Sequence, residues 1–409
     1  MVAALALLAM PAGASAATGD VYVADQSAGP GGSGAIFRVD LASGAATPIL
    51  SGPPLENPSD MVFDSAGGLL VSDDANQSIY RIDPATGAAT EVAHGGQLSD
   101  PWGITFGPGG RLFVADIGFE SPAAVVFRIN VEKNAGAKMQ LASGPPLVDP
   151  AGIAAATDGS LIVTDINGFN GVADGIVDRI DSATGEVTAI TSGGSLVDPW
   201  GIDLEPAGRI VITDANSGGG SGGLFAINPK TSAVTPLASG PPFTEPVDLE
   251  LLGDGTALVA DYGESSSGAL LRTDLGTGAT TTLASGPPFV DPSGVIAEPP
   301  TCHGELASIV GTPADDKLIG TRFVDVISGL DGNDRIRGLN NNDVICGDDG
   351  KDRINSGKGK DVIDGGAGKD RLNGAPGPDT IDGGPGRDRC NGAGSKDSAR
   401  GCELRFNIP

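Results

Sequence analysis

Ten aspartates stand nine residues apart, at 316, 325, 334, 343, 352, 361, 370, 379, 388 and 397. Two residues after each comes Leu318, Ile327, Ile336, Ile345, Ile354, Ile363, Leu372, Ile381, Cys390 and finally Ala399. The clearest unit is Gly365-Gly366-Ala367-Gly368-Lys369-Asp370-Arg371-Leu372-Asn373, repeated from Gly383 to Asn391. Its first six residues read as a tight turn. Glycine reaches positive φ, which lets backbone carbonyls converge on one point. Carbonyl and carboxylate oxygens together are hard ligands and suit Ca²⁺. The last three residues read as a short strand, with the middle one facing inward. One Leu or Ile per nine residues is a thin core against ~1–2 kcal/mol for each ordered backbone residue. A bound metal is expected to supply much of the missing stability.

This segment, about 310–400, resembles the RTX family, the hemolysin-type calcium-binding repeats. The resemblance implies a parallel β-roll in which two nonapeptides make one turn. It also implies Ca²⁺ between turns stacked 18 residues apart. Carried over, the best ligands are Asp352, Asp361, Asp370, Asp379 and Asp388, with Asp334 and Asp343 as weaker members. The carbonyls of Gly365, Gly366, Gly368, Gly383, Gly384 and Gly386 would complete the shells. Three turns depart from the pattern and are candidates for metal-free turns. They carry Thr321 and Phe323, Leu339 and Asn341, and Ala393 and Ser395. Lys351, Lys360, Lys369 and Arg387 directly precede ligand aspartates and are expected to weaken cation binding by repulsion. The alternative is a solenoid that keeps the shape without the metal.

A period of 18 lies inside the period of nine. The residues after successive aspartates alternate between basic and uncharged, beginning Lys317, Val326, Arg335, Val344. One face of a two-sided roll would carry Lys317, Arg335, Arg353, Arg371 and Arg389. Such a ladder is either solvated or meets an anionic partner. The other face would carry Val326, Val344 and Val362, covered by the lead-in 301–310. All four cysteines lie between 302 and 402, and three pairings are possible. Cys302–Cys346 would staple the lead-in to the valine face, and Cys390–Cys402 would close the end of the roll.

The formal charge is -27 over 409 residues. Residues 301–409 hold 18 Asp+Glu against 15 Lys+Arg, so the excess of acid belongs to 1–300. Nucleic acid is therefore an unexpected partner, while cations or basic partners are favoured. Residues 1–16 read as a secretory signal peptide: Val2 to Met10 is apolar but short of a membrane span, and Ala14-Ser15-Ala16 offers a cleavage site. No basic residue precedes the apolar run, which points to an initiator upstream. No other segment could span a membrane. Disulfides fit the expected extracellular location.

Residues 19–300 carry a second repeat of about 47 residues. Six strands end at Asp25, Asp73, Asp116, Asp165, Asp214 and Asp261, and a proline marker recurs at 58, 101, 150, 199, 246 and 292. Four short strands per repeat with Gly/Pro turns make a β-propeller blade. The chain starts inside a repeat and supplies the missing strand at Pro292–Ile296, so the last strand closes the first blade. The pattern resembles six-bladed NHL-type propellers and, more loosely, lactonase and streptogramin-lyase propellers. The expected fold is thus all-β: signal peptide 1–16, six-bladed propeller 17–300 and calcium-binding β-roll 301–409.

The loops at one propeller rim are long at Gln26–Gly34, Asn167–Gly175 and Asn216–Gly223. Acids at Glu56, Asp60, Asp100, Glu120, Asp149, Asp174, Asp198, Glu245, Asp248, Glu264 and Asp291 are assigned to the same rim. This rim could hold a cation, a basic protein or a carbohydrate; solvated loop acids are the plainer reading. The six strand-end aspartates are expected to bond their own turns. Trp102 and Trp200 belong either to the blade core or to the channel mouth. His94, the one propeller histidine, offers no assembled catalytic set. The expected function is calcium binding by a secreted protein whose propeller recognises a ligand or adheres. The alternative is a lactonase- or lyase-like hydrolytic propeller with the repeats as a stability or secretion aid.

Overall fold

The structure, a computed structural model, describes residues 19–107, 109–118, 124–131, 137–166, 175–192, 196–215, 222–263, 268–393 and 396–407. The signal-peptide reading, most of the loops 167–175 and 216–223, and Glu120, Asp174, Glu264 and Ser395 lie outside them. No helix occurs among the described residues.

Six four-stranded antiparallel sheets are followed by two six-stranded parallel sheets. Each proline marker opens an innermost strand, from Pro58–Phe63 round to Pro292–Ala297. Adjacent innermost strands approach closely. A Cβ at Gly152 would collide with the Trp200 carbonyl and lie 2.9 Å from Thr164 Oγ1, so only glycine fits there. The ring closes as expected. Val21–Asp25 pairs with Pro292–Ala297, placing Val23 opposite Val295 and Ala24 opposite Gly294. No blade is left with an open inner edge.

The strand-end aspartates do more than cap their own turns. Asp73 accepts the N–H groups of Glu56 (2.8 Å) and Asn57 (3.2 Å), and only then that of Asn76 in its own turn. Asp116, Asp165, Asp214 and Asp261 hold the equivalent pairs, beginning at Ser99, Val148, Val197 and Thr244. Asp25 holds Val290 and Asp291 from the far end of the ring. Each buried carboxylate therefore ties the loop ahead of a proline marker to the adjacent strand. Local turn bonding was too narrow an expectation, because the clasped loop lies about 17 residues earlier in the chain in five of the six cases.

From 309 onward the chain winds as a two-sided solenoid. Lys317 pairs with Arg335 in one parallel sheet, and Val326 with Val344 in the other. Leu318, Ile327, Ile336, Ile345, Ile354, Ile363, Leu372, Ile381 and Cys390 stack between the sheets as one buried file. Cys302 is bonded to Cys346 and Cys390 to Cys402. The lead-in covers the valine face: Cys302, Ala307, Val326 and Cys346 form a small buried cluster with Val310 and Val344 packed on it. Leu306 also packs on the cluster of Tyr22, Met61 and Phe63 in the first propeller sheets.

One blade breaks its own rule. Phe37, Tyr80, Phe127, Phe225 and Leu271 occupy the middle of the third strand in their blades. Asp178 takes that place opposite Val163. It is fully buried, and neither carboxylate oxygen has a hydrogen-bond partner. Burial first, and the Asp165 charge second, push its carboxyl up to about 7. The folded state thus favours the neutral acid. Its contribution is fully present below the unfolded value near 3.8 and lost as pH rises through about 7. Asp178→Leu should raise the melting temperature by a few degrees, about 2–4 °C for each kcal/mol recovered. Calorimetry from acidic to mildly alkaline pH should show its advantage over wild type growing with pH.

Candidate metal centre

The solenoid turns repeat one arrangement. The side chain of each aspartate reaches back one coil, and its Oδ1 accepts the backbone N–H of the aspartate 18 residues earlier. The series runs Asp316 N to Asp334 Oδ1 at 2.8 Å, Asp334 to Asp352 at 2.8 Å, Asp352 to Asp370 at 2.9 Å and Asp370 to Asp388 at 2.9 Å. A second series on the other edge runs from Asp325 through Asp343, Asp361 and Asp379 to Asp397 at 2.9–3.0 Å.

The second oxygen is different. Oδ2 of Asp334, Asp343, Asp352, Asp361, Asp370, Asp379 and Asp388 is buried and has no hydrogen-bond partner. These are the seven aspartates carried over above from the RTX resemblance. A buried anionic oxygen without a partner is costly. Burial raises the carboxyls of Asp334, Asp343 and Asp352 to about 7 and those of Asp370 and Asp379 to about 6, with neighbouring carboxylates adding to it. The Asp388 carboxyl is raised for the same first reason.

Glycines leave room beside these oxygens. A Cβ built on Gly347 would sit 2.7 Å from both Asp352 Oδ2 and the Gly365 carbonyl oxygen. One on Gly365 would sit 2.8 Å from both Asp370 Oδ2 and the Gly383 carbonyl. A carboxylate oxygen of one coil and a carbonyl of the next therefore face the same small space, which any other side chain would fill. Gly366 and Gly384 have φ of 78°, and Gly368 and Gly386 are bridged across adjacent coils. Among the described residues no three His, Cys, Asp or Glu side chains converge closely enough to hold a metal between themselves. The carboxylates stand in single file, so further ligands must be backbone carbonyls. This donor set is all oxygen and fits Ca²⁺.

The departing turns divide into two kinds. Before Asp316 and Asp325, a threonine replaces the missing partner: Thr312 N–H and Oγ1 donate to Asp316 Oδ2 at 2.6 and 2.8 Å. Thr321 does the same for Asp325, at 2.6 Å from its N–H and 3.2 Å from its hydroxyl. The turn before Asp343 keeps the orphaned oxygen. Leu339 and Asn341 adopt φ of 84° and 75° there, so the turn shape persists without its glycines. Lys351, Lys360, Lys369 and Arg387 are exposed while the adjacent aspartates are buried. Nothing short of the folded turn could have revealed the threonine substitution.

The propeller places its acids differently from the sequence reading. Asp60 and Asp248 are on innermost strands rather than in rim loops. With Asp203 and Glu250, which the marker pattern did not single out, they line the ring centre. Asp60 Oδ2 accepts Ile104 N–H, Asp203 Oδ2 accepts Leu251 N–H, and Asp248 Oδ2 accepts Val295 N–H, at 2.8–2.9 Å. Each bond braces one blade against the next. Burial raises all four carboxyls. An acid at the third or fifth position of these strands, where other blades have Gly, Thr or apolar residues, was the available signal. Trp102 and Trp200 are half-buried, their rings 4.7 Å apart, over Ile117, Ala151 and Ile166. His94 ends an outermost strand and bonds Ser78 Oγ at 2.9 Å, so it belongs to the blade perimeter and not to the channel mouth.

A family model described as RTX calcium-binding nonapeptide repeat matches residues 310–345, 347–381 and 367–399. The chain therefore carries RTX calcium-binding repeats at its C-terminal end. A second model, "Repeat of unknown function (DUF6923)", matches residues 6–146. No curated relative matches the chain. Among solved structures, a chain of the nidogen/laminin complex is 18% identical with a TM-score of 0.53, covering 68% of this chain and 97% of that one. TolB from Acinetobacter baumannii is 13% identical with a TM-score of 0.50, covering 65% and 63%. At such identity these show the propeller fold alone.

Gly365→Ala should place a methyl group where Asp370 Oδ2 and the Gly383 carbonyl converge. Calcium stoichiometry from equilibrium dialysis is expected to fall. Thr321→Ala should leave the stoichiometry unchanged and cost about 1 kcal/mol of stability through the lost hydroxyl bond.

Proposed function

We propose that this is a secreted calcium-binding protein in which Ca²⁺ completes the folding of the solenoid and the propeller serves as a ligand-recognition or adhesion module. Two units are proposed, a propeller over 17–300 and a roll over 301–409, meeting near Glu298-Pro299-Pro300. One observation carries the calcium assignment: seven aspartates, each with a buried Oδ2 lacking a partner, stand at the spacing of the RTX repeats. The ligand set proposed is Asp334, Asp343, Asp352, Asp361, Asp370, Asp379 and Asp388, with carbonyls of Gly365, Gly366, Gly368, Gly383, Gly384 and Gly386. Bound Ca²⁺ would supply the positive charge that these oxygens lack.

The chain's own residues set the order of events. Thr312 and Thr321 satisfy the first two turns without metal, and Cys302–Cys346 fixes the lead-in against the coil beside them. The later coils have only a single file of Ile and Leu as core and crowd their carboxylates. At low calcium, charge repulsion and glycine entropy oppose their folding. Two disulfides support an extracellular setting, where calcium is abundant.

Hydrogen exchange on the intact chain tests this reading. Amides of 330–390 should exchange rapidly in chelator and become protected in millimolar calcium, while those of 19–297 change little. Equal protection of 330–390 in both conditions would remove the calcium-coupled folding.

A further inference from the structure

The propeller mouth has two chemically distinct sides. Gln26, Asp74, Ile117, Ile166, Ala215 and Tyr262 follow the six strand-end aspartates. Each donates its N–H to the carbonyl of the residue before a proline marker, at 2.9–3.2 Å. They therefore hold one equivalent place around the channel mouth. Ile117, Ile166 and Ala215, on three consecutive blades, are apolar and buried. Gln26, Asp74 and Tyr262, on the other three, are polar. The second residues of the innermost strands divide the same way, with Trp102, Ala151 and Trp200 on the apolar side and Ser59 and Ser293 on the polar one. Trp102 and Trp200 come from blades separated by that of Ala151, yet their rings lie 4.7 Å apart. The pair thus reaches across the mouth, and both rings are only half-buried.

The polar side is built but unfinished. Tyr262 donates its hydroxyl to Gln26 Oε1 at 2.9 Å. Gln26 is 4% exposed, and its Nε2 has no partner. Asp74 Oδ1 is also buried without a partner. Burial first, and then the charges of Asp291, Glu245 and Asp74, push the Tyr262 hydroxyl up to about 12, so the potential there is negative. The arginines that form ion pairs in the propeller are engaged at its other end. Their partners Asp64, Asp158, Glu205 and Asp254 lie in turns that follow innermost strands, and Asp20 precedes a second strand.

We propose that this mouth seats an arginine side chain of a protein partner, its guanidinium against Asp74 and its stem along the tryptophan pair. This rests on the reading of the propeller as a recognition module and names what it recognises. The two orphaned groups are opposite in kind: Asp74 Oδ1 lacks a donor, and Gln26 Nε2 lacks an acceptor. A metal ion or a simple amine would serve only the carboxylate. An arginine donates to Asp74, while a peptide carbonyl beside it accepts from Gln26. Its planar head stacks on indole faces, and its methylenes cover apolar surface. Tyr262, half-buried and bonded to the same carboxamide, is the side chain that turns aside to admit the ligand. The acidic propeller draws a cationic partner towards it.

The test selects phage-displayed random short peptides on the intact, calcium-loaded chain and measures the winners by anisotropy. Selected peptides are expected to share one arginine. W102A/W200A, which keeps every charge, should weaken their binding at least about tenfold, as loss of a tryptophan anchor does. D74N should also weaken it about tenfold, through the lost charge-assisted bond. Lysine in place of the shared arginine should bind several-fold more weakly. Should the Trp variant not fold, D74N decides alone. The proposal is overturned if the selected peptides share no arginine, if their lysine versions bind equally well, or if either folded variant binds as wild type does. An array of neutral glycans, probed with the same chain, separates two kinds of failure. Glycan binding that W102A/W200A loses, with no arginine peptide selected, overturns the arginine and keeps the propeller as a recognition module. A blank array together with a blank selection overturns both.

Discussion

Everything in the solenoid hangs on one bond, the backbone N–H of an aspartate donated to the carboxylate of the aspartate one coil on. It fixes the coil spacing, buries the carboxylate and aims its second oxygen inward. Burying an anion with half of its acceptors unsatisfied is unfavourable unless positive charge arrives. The repeat therefore builds the fold and a demand for a cation with the same side chain. Where the chain does not make that demand, at Asp316 and Asp325, a threonine hydroxyl and N–H meet it instead.

The propeller solves a related problem with the same residue type but no metal. Its six strand-end aspartates accept two neighbouring N–H groups apiece from the loop ahead of each proline. These carboxylates are buried yet satisfied, so they act as structural pins. The contrast explains why periodic aspartates mean different things in the propeller and in the solenoid. What matters is the count of donors reaching both oxygens, not the presence of the acid. Asp178 shows the same rule from the other side: in an apolar position it has no donor at all.

Much of the architecture was legible because periodicity reports it directly. The nine-residue file of Leu and Ile became the solenoid core, and the alternation after each aspartate became two distinct faces. The displaced first strand of the propeller predicted its closing partner. The valine face and its two nearby cysteines predicted the staple. The aspartates of the candidate site could be named by position from the RTX resemblance. Which oxygen of each carboxylate is free could not, because that depends on contacts 18 residues away.

By itself the sequence determined the repeats, their number and which residue of each nonapeptide faces inward, since these follow from local period. Only the tertiary structure decided which acids are pins, which are braces and which keep a buried oxygen without a partner. It moved Asp60 and Asp248 from the rim to the ring centre, and placed His94 at the end of an outermost strand. It also showed that Leu339 and Asn341 still make the turn that glycine was expected to require. The physical reason is the same in each case. A carboxylate's role is set by the donors that surround it, and those donors come from coils or blades distant in the chain.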